Sequence, residues 1–200
     1  MAFVSSILFN SYNNYEDKRL KKIYTGDEKM DNINVKGLPL VGKGAHGKVY
    51  KLDENRCIKI CKSTKDMQME YSVLKKVEGY PQFPRVYRCE DKYMIREYIA
   101  GPNIIDYIKH NGLDNNLARE LTELIIVFIN LRFTRIDIRM GEVFVSSGSR
   151  IRIIDTTRYM DKRASYPRKM LKTLKNLGYY NQYMNFLKQN YPKFYISWNR

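Results

Sequence analysis

The sequence feature that most constrains the fold of this chain is a glycine-rich segment between two apolar stretches. Its pattern is G-x-G-x-x-G-x-V, and the residues that form it are Gly42, Gly44, Gly47 and Val49. Glycines at these positions let the backbone turn tightly and bring its N–H groups against an anion, an approach that a Cβ would obstruct. A dinucleotide-binding fold would place a helix directly after the glycines. A strand pattern follows here instead, so the sequence predicts strand, loop, strand, turn and strand over residues 37–60.

The last of these predicted strands, residues 56–60, carries a lysine. Because side chains alternate along a strand, Cys57 and Lys59 share one face of the predicted sheet. Apolar spacing predicts a helix over residues 63–77, with Glu70 on the flank of its apolar stripe. A solvent-exposed lysine and a solvated glutamate are the plain alternatives to a functional role for Lys59 and Glu70.

The second half of the chain changes to a helical pattern after a break at residues 100–102. A strand hairpin interrupts this pattern, and Asp137 and Asp155 flank the hairpin. Two amphipathic helices are expected to close the chain. The predicted helices span residues 103–109, 115–132, 166–177 and 180–189.

These patterns predict an α+β fold with three regions. We expect residues 1–36 to form a polar leader that packs loosely on the rest. Residues 37–101 are expected to form a first lobe, with an antiparallel sheet, one helix and a hinge. Residues 102–200 are expected to form a smaller and mostly helical second lobe.

Composition excludes several other classes of protein. A hydrophobic content of 44% with 13% aromatic residues is typical of a folded chain, not a disordered one. No apolar run reaches the roughly 18 residues that a membrane span needs. Residues 1–9 lack the basic segment that begins a secretory signal. Cys57, Cys61 and Cys89 have no zinc-type spacing, so we expect free thiols and a reducing, cytoplasmic location.

The net charge of +15 is concentrated near the end of the chain. Residues 156–200 contain ten lysines and arginines and one acidic residue, Asp161, which gives this region a net charge of +9. Such a field attracts nucleotides, nucleic acids, acidic proteins or lipid surfaces. A solubilising face without a specific partner is the alternative. Since the region lacks an RNA-binding motif, an acidic protein is favoured over nucleic acid as the partner.

The motifs between Gly37 and Asp155 together resemble those of protein kinases. They resemble more closely the small serine/threonine-kinase-like proteins of low-GC Gram-positive bacteria, which lack the large helical second half of ordinary protein kinases. The segments that carry the resemblance are residues 42–50, 57–59, 95–102, 133–137, 143–145 and 153–155. The resemblance implies a two-lobed fold that uses ATP.

The resemblance also implies catalytic and metal-binding roles. Asp137 would accept the proton of the attacking hydroxyl, and Lys59, paired with Glu70, would neutralise phosphate charge. Asp155 would hold Mg²⁺ or Mn²⁺. In the kinase motif H-R-D-L-x-x-x-N the asparagine follows the aspartate by five residues, and Glu142 stands five residues after Asp137. Glu142 would therefore be the second metal ligand, because a carboxylate also binds hard cations.

The nucleotide contacts implied by the resemblance involve the backbone and one face of the sheet. The glycines would cover the triphosphate, the Glu97 carbonyl and the Ile99 N–H would hydrogen-bond adenine, and apolar side chains would line the adenine pocket. The residues involved are Gly42, Gly44, Gly47, Val49, Cys57, Glu97 and Ile99.

Departures from the kinase pattern leave two functions open. Residues 135–137 are Arg-Ile-Asp in place of H-R-D, and residues 155–157 are Asp-Thr-Thr in place of D-F-G. Glu142 replaces the metal-binding asparagine, and Arg96 stands before the hinge where an apolar residue is usual. The first hypothesis is an active phosphotransferase, a serine/threonine protein kinase of minimal type. The second is a pseudokinase, a nucleotide-binding scaffold that docks an acidic partner.

Overall fold

The computed structural model describes most of the chain. The residues that it describes are 35–156, 159–160 and 162–199. Almost all of the leader predicted for residues 1–36 therefore lies outside the described residues. The predicted boundary between two lobes at residue 101 stays a prediction.

The chain divides into two units, Met1–Leu38 and Pro39–Arg200. In the described part of the first unit, the Leu38 N–H donates to the Val35 carbonyl over 3.1 Å and closes a turn. The second unit contains the sheet, the helices and every candidate site residue.

The glycine-rich segment lies in a five-stranded antiparallel sheet, with strand order β1-β2-β3-β5-β4. The strands are β1 (Leu40–Lys43), β2 (Gly47–Lys51), β3 (Arg56–Cys61), β4 (Val86–Cys89) and β5 (Tyr93–Glu97). Val49 lies opposite Lys59 across β2 and β3, and Cys57 lies opposite Arg96 across β3 and β5. Residues directly opposite each other share a face of a sheet. The predicted strand, loop, strand, turn and strand is therefore confirmed, and these four side chains share one face.

A single helix, α1 (Thr64–Lys76), follows β3. Ser63 caps it, because its Oγ accepts the Asp66 N–H over 3.1 Å. The apolar stripe packs into the core as the sequence predicts. Glu70, which the sequence places on the flank of that stripe, is fully buried instead. A buried carboxylate requires a partner of opposite charge or several hydrogen-bond donors.

The second half contains helices around a small hairpin. These elements are α2 (Ile104–Asn111), α3 (Asn115–Asn130), β6 (Val143–Val145), β7 (Ile151–Ile153), α4 (Arg168–Asn176), α5 (Tyr180–Asn190) and α6 (Pro192–Trp198). Asp114 caps α3 through the Leu117 N–H over 2.7 Å. With 16 residues α3 is the longest described helix, and none of the described helices is both long and apolar enough to cross a lipid bilayer. Together with the sheet, these helices confirm the α+β class.

The prediction of two closing helices is incomplete, because the structure has a third, α6. Pro192 occupies the start of α6, where the missing N–H of proline has no helical partner to lose. The ring of Phe194 stacks on that of Trp198, four residues later, with centroids 4.6 Å apart. An element of seven residues is too short for its apolar spacing to stand out in the sequence.

Candidate active site

Lys59 and Glu70 form a buried ion pair between β3 and α1. Lys59 Nζ donates to Glu70 Oε2. The side chains are 7% and 1% exposed, so neither is the solvated surface residue of the plain alternatives. Because β3 is paired with β2 and β5, the sheet fixes the position of the Lys59 backbone. Glu70 on α1 fixes the position of the Lys59 ammonium group.

Arg96 on β5 extends this pair into a network. Its Nη1 lies 3.4 Å from Glu70 Oε1 and donates to the Ile154 carbonyl over 2.6 Å. The Arg96 side chain is 5% exposed, so Glu70 lies between two buried cations. Ile154 directly precedes Asp155, and Arg96 therefore links the ion pair to the backbone beside the candidate metal ligand. The sequence marked Arg96 only as a departure from the kinase pattern and gave no sign of these contacts.

The glycine-rich loop is shaped by Gly47 in particular. An ideal Cβ on Gly47 would lie 2.1 Å from the Ile60 carbonyl oxygen, so no other residue fits without moving β3. A Cβ on Gly44 meets no atom within 4 Å in the described part of the chain, so the packing there does not require a glycine. His46 anchors the loop through two contacts. Its carbonyl accepts the Lys62 N–H over 2.9 Å, and its Nδ1 lies 3.3 Å from Asp66 Oδ1.

Cys57 and Glu97, two of the residues predicted to contact adenine, lie on the neighbouring strands β3 and β5. Cys57 is buried and its Sγ donates to the Glu97 carbonyl over 3.6 Å. Burial raises the pKa of the Cys57 thiol, which keeps the thiol protonated. Ile99 is also buried. The Glu97 carboxylate points to a different partner, Arg152, whose two terminal nitrogens both donate to it.

The predicted hinge lies tightly against the hairpin. Gly101 has a φ of +124°, and an ideal Cβ there would lie 2.1 Å from the Val145 carbonyl oxygen. The Val145 N–H donates to the Pro102 carbonyl over 3.0 Å. Glycine is required at residue 101 both by this approach and by its backbone conformation.

Asp137 lies in the segment between α3 and β6 and is buried. Its Oδ1 accepts the Lys169 N–H at the beginning of α4 over 2.6 Å. This carboxylate therefore satisfies a backbone donor that the helix itself cannot pair, as a capping residue does. The sequence offered no signal of this contact, because the two residues are 32 positions apart.

Glu142 lies near Asp155, as the sequence predicts. The Ile154 N–H donates to the Glu142 carbonyl over 2.9 Å, which holds the end of β7 beside Glu142. Burial, together with the negative charge of Asp155, raises the pKa of Glu142. Arg139 lies 3.1 Å from its Oε1, and the Tyr159 hydroxyl donates to its Oε2 over 3.3 Å. Both residues carry carboxylate oxygens, the ligand type that hard divalent cations prefer.

Asp137 does not complete a three-carboxylate group with that pair. Within the described residues, no cluster of three or more His, Cys, Asp or Glu side chains is arranged to hold a metal ion. The reason is that Asp137 is directed to the beginning of α4, whereas Glu142 is directed to Arg139 and Tyr159.

The described structure contains cavities of about 690 and 750 Å³. The first lies beside α1 and β4 and reaches Glu97, and the second lies beside the turn of the hairpin. Lys59, Asp137 and Asp155 line neither of them.

The raised pKa of Glu142 predicts a stabilising substitution. The folded pKa lies above the ordinary value of 4.5, so the stability that protonated Glu142 contributes is lost as the pH rises through the folded pKa. At about pH 7 the ionised Glu142 destabilises the fold, and glutamine would remove its negative charge. Glu142→Gln should therefore raise the Tm by roughly 2–4 °C for each kcal/mol gained in the free energy of unfolding. Thermal melts in EDTA at neutral and acidic pH would measure this gain, which should shrink as the pH falls.

Glu97→Gln is the matched control with the opposite sign. Burial alone would raise the pKa of Glu97, but the hydrogen bond and charge of Arg152 lower it below its ordinary value. Its ionised form therefore contributes stability at neutral pH, and Glu97→Gln should lower the Tm there. A Glu142→Gln variant that melts below wild type at neutral pH would contradict the assignment.

No protein-family model and no curated protein matches the chain. Among solved structures, the chain is similar to the crystal structure of Rad53 1–466 in complex with AMP-PNP. The two have 19% sequence identity and a TM-score of 0.46, over 70% of this chain. The chain spans 44% of the length of that Rad53 chain. A likeness at this level shows no family, so the function has to be inferred from the residues of this chain.

Proposed function

We propose that this chain is a phosphotransferase of the protein kinase type that uses ATP and a divalent metal. The observation that carries the proposal is the buried pair of Lys59 and Glu70 below a glycine-rich loop. In protein kinases a lysine on the third strand contacts the phosphates and is held by a helix carboxylate. The acceptor would be a serine or threonine hydroxyl, as in the small kinase-like proteins that the motifs resemble.

The buried ion pair and Asp137 would have separate roles in the transfer. The Lys59 ammonium, held by Glu70, would bind phosphate oxygens, and Arg96 would keep Glu70 in place. Asp137 would accept the proton of the acceptor hydroxyl, for which a carboxylate within hydrogen-bonding reach suffices. This role is compatible with its bond to Lys169, because a carboxylate can accept several hydrogen bonds at once.

Asp155 and Glu142 would hold Mg²⁺ or Mn²⁺. Magnesium is usually bound by one or two carboxylates together with substrate phosphates, which matches this pair. When bound, the cation would neutralise charge that develops on the phosphoryl oxygens. Glu142 would have to exchange its contacts with Arg139 and Tyr159 for the cation, which makes metal binding and the position of Glu142 interdependent.

The nucleotide would lie between the glycine-rich loop and the hinge. The open space at Gly44 suits an approach of the backbone to phosphate. Val49 and Cys57 share the sheet face on which adenine would lie, and the Glu97 carbonyl and the Ile99 N–H would provide the adenine hydrogen bonds.

A nucleotide-binding scaffold without transfer activity is the second candidate. Arg96 favours it, because its buried guanidinium lies on the sheet face that would receive the nucleotide. The contacts of Glu142 with Arg139 and Tyr159 favour it as well, since they compete with a metal ion. The acidic partner predicted from the charge of the C-terminal region would then be a docking partner, not a substrate.

The release of labelled γ-phosphate from ATP distinguishes the two candidates. With Mg²⁺ or Mn²⁺ we expect transfer to a generic acceptor such as casein. In EDTA we expect no transfer, because without a metal ion the carboxylate pair would repel the triphosphate. An Asp155→Ala preparation made in parallel controls for contaminating kinases. ATP binding without any loss of γ-phosphate, in any metal, would favour the scaffold. ATP binding that is equally tight in EDTA would contradict the metal site.

A further inference from the structure

The outer side of α4 is a continuous basic face. Arg168, Lys169, Lys172 and Lys175 are all exposed, whereas Met170, Leu171 and Leu174 point into the core. With 3.6 residues per turn, the four cations lie along one side of the helix. We define these four residues as the basic face of α4.

This face is not neutralised by the rest of the described chain. Some lysines elsewhere pair with a carboxylate three residues away, as in the pairs Lys51–Glu54, Lys75–Glu78 and Lys109–Asp106. Among the described residues, no ion pair involves the basic face of α4. The sequence explains why, since residues 156–200 include a single acidic residue, Asp161.

The basic face begins at the candidate catalytic base. The Lys169 N–H donates to Asp137 Oδ1 over 2.6 Å, so the start of α4 adjoins Asp137. Lys172 and Lys175 follow at about 4.5 and 9 Å along the helix axis, given a rise of about 1.5 Å per residue. An extended peptide advances about 3.3 Å per residue, so these distances correspond to roughly one to three residues of a peptide.

We propose that the basic face of α4 binds acidic residues close to the acceptor hydroxyl, so that the substrate is an acidic peptide segment. This inference rests on the proposed phosphotransferase function. A hydroxyl placed at Asp137 would put neighbouring carboxylates of an extended peptide over Lys172 and Lys175. The sequence of α4 contains no aromatic residue, whereas single-stranded nucleic acids are usually held by aromatic stacking together with charge. An acidic peptide therefore fits this face better than a nucleic acid.

Fluorescence anisotropy without ATP tests the inference apart from any transfer. The probe is a labelled peptide with one serine followed by four glutamates, compared with the same peptide carrying glutamines. We expect the acidic peptide alone to bind, and to bind much more weakly at about 0.5 M salt, since exposed charges are screened there. Lys172→Gln combined with Lys175→Gln should weaken binding by roughly 3- to 10-fold.

The matched control is Lys188→Gln combined with Lys193→Gln. It removes two exposed lysines from the same basic region, on α5 and α6, and should leave peptide affinity unchanged. Equal loss in both double variants, equal affinity for the glutamine peptide, or tighter binding of a single-stranded oligonucleotide would each overturn the inference. Acidic-peptide binding that depends on Lys172 and Lys175, without transfer of γ-phosphate, would support the peptide site and refute the phosphotransferase.

Discussion

Glu70→Ala is expected to lower the free energy of unfolding by about 3–5 kcal/mol, the cost of removing one partner from a buried ion pair. The variant leaves two cations, Lys59 and Arg96, facing each other in a site where their side chains are 7% and 5% exposed. Neither has another carboxylate within salt-bridge distance among the described residues. Urea denaturation monitored by circular dichroism would measure the loss.

Glu78→Ala is the matched control, because Glu78 follows the same helix and also pairs with a lysine. Its partner Lys75 lies 3.4 Å away, and the Glu78 side chain is 66% exposed. Exposed pairs contribute little, so the change should stay within about 0.5 kcal/mol. If the two variants unfold at the same urea concentration, the buried network does not stabilise the fold.

An apolar replacement of the whole network separates burial from charge. Lys59→Met, Glu70→Leu and Arg96→Leu together leave no buried charge unpaired. Replacing a buried charged group by well-packed apolar residues is often neutral or stabilising. The triple variant should therefore recover most of the stability lost in Glu70→Ala, which would show that unpaired charge, not lost packing, causes the loss.

Local sequence patterns predicted the elements of the site well. The alternation around Lys59 and the glycines before it predicted β1 to β3 and the shared face of Cys57 and Lys59. The apolar spacing over residues 63–77 predicted α1. These features depend on residues close to one another in the chain, and the period of the side chains describes them directly.

The partners of the site residues could not be predicted in the same way. Arg96 bonds to the Ile154 carbonyl 58 positions away, and Asp137 bonds to the Lys169 N–H 32 positions away. Such contacts depend on how helices and strands pack, which no local period encodes. The burial of Glu70 follows from the same packing, because a cation from β3 and another from β5 meet it inside the fold.

Asp137→Asn is expected to lower the rate of phosphate transfer by about 10²- to 10⁴-fold while leaving the fold intact, if Asp137 is the general base. An asparagine side chain keeps the oxygen that accepts the Lys169 N–H but cannot take up a proton. Asparagine and aspartate are similarly good at the beginning of a helix, and the lost charge costs about 0.3–1 kcal/mol. Transfer rates with saturating ATP and metal, together with thermal melts, would separate the two effects.

Asp114→Asn supplies the control, because Asp114 also accepts a backbone N–H at the beginning of a helix and has no proposed role in phosphate transfer. Its Oδ1 accepts the Leu117 N–H over 2.7 Å at the beginning of α3, as Asp137 Oδ1 accepts the Lys169 N–H over 2.6 Å at the beginning of α4. Both variants should lose similarly little stability, and only Asp137→Asn should lose transfer. If Asp137→Asn kept the transfer rate of Asp114→Asn, Asp137 would be a capping residue of α4, and proton acceptance would have to be assigned to another group.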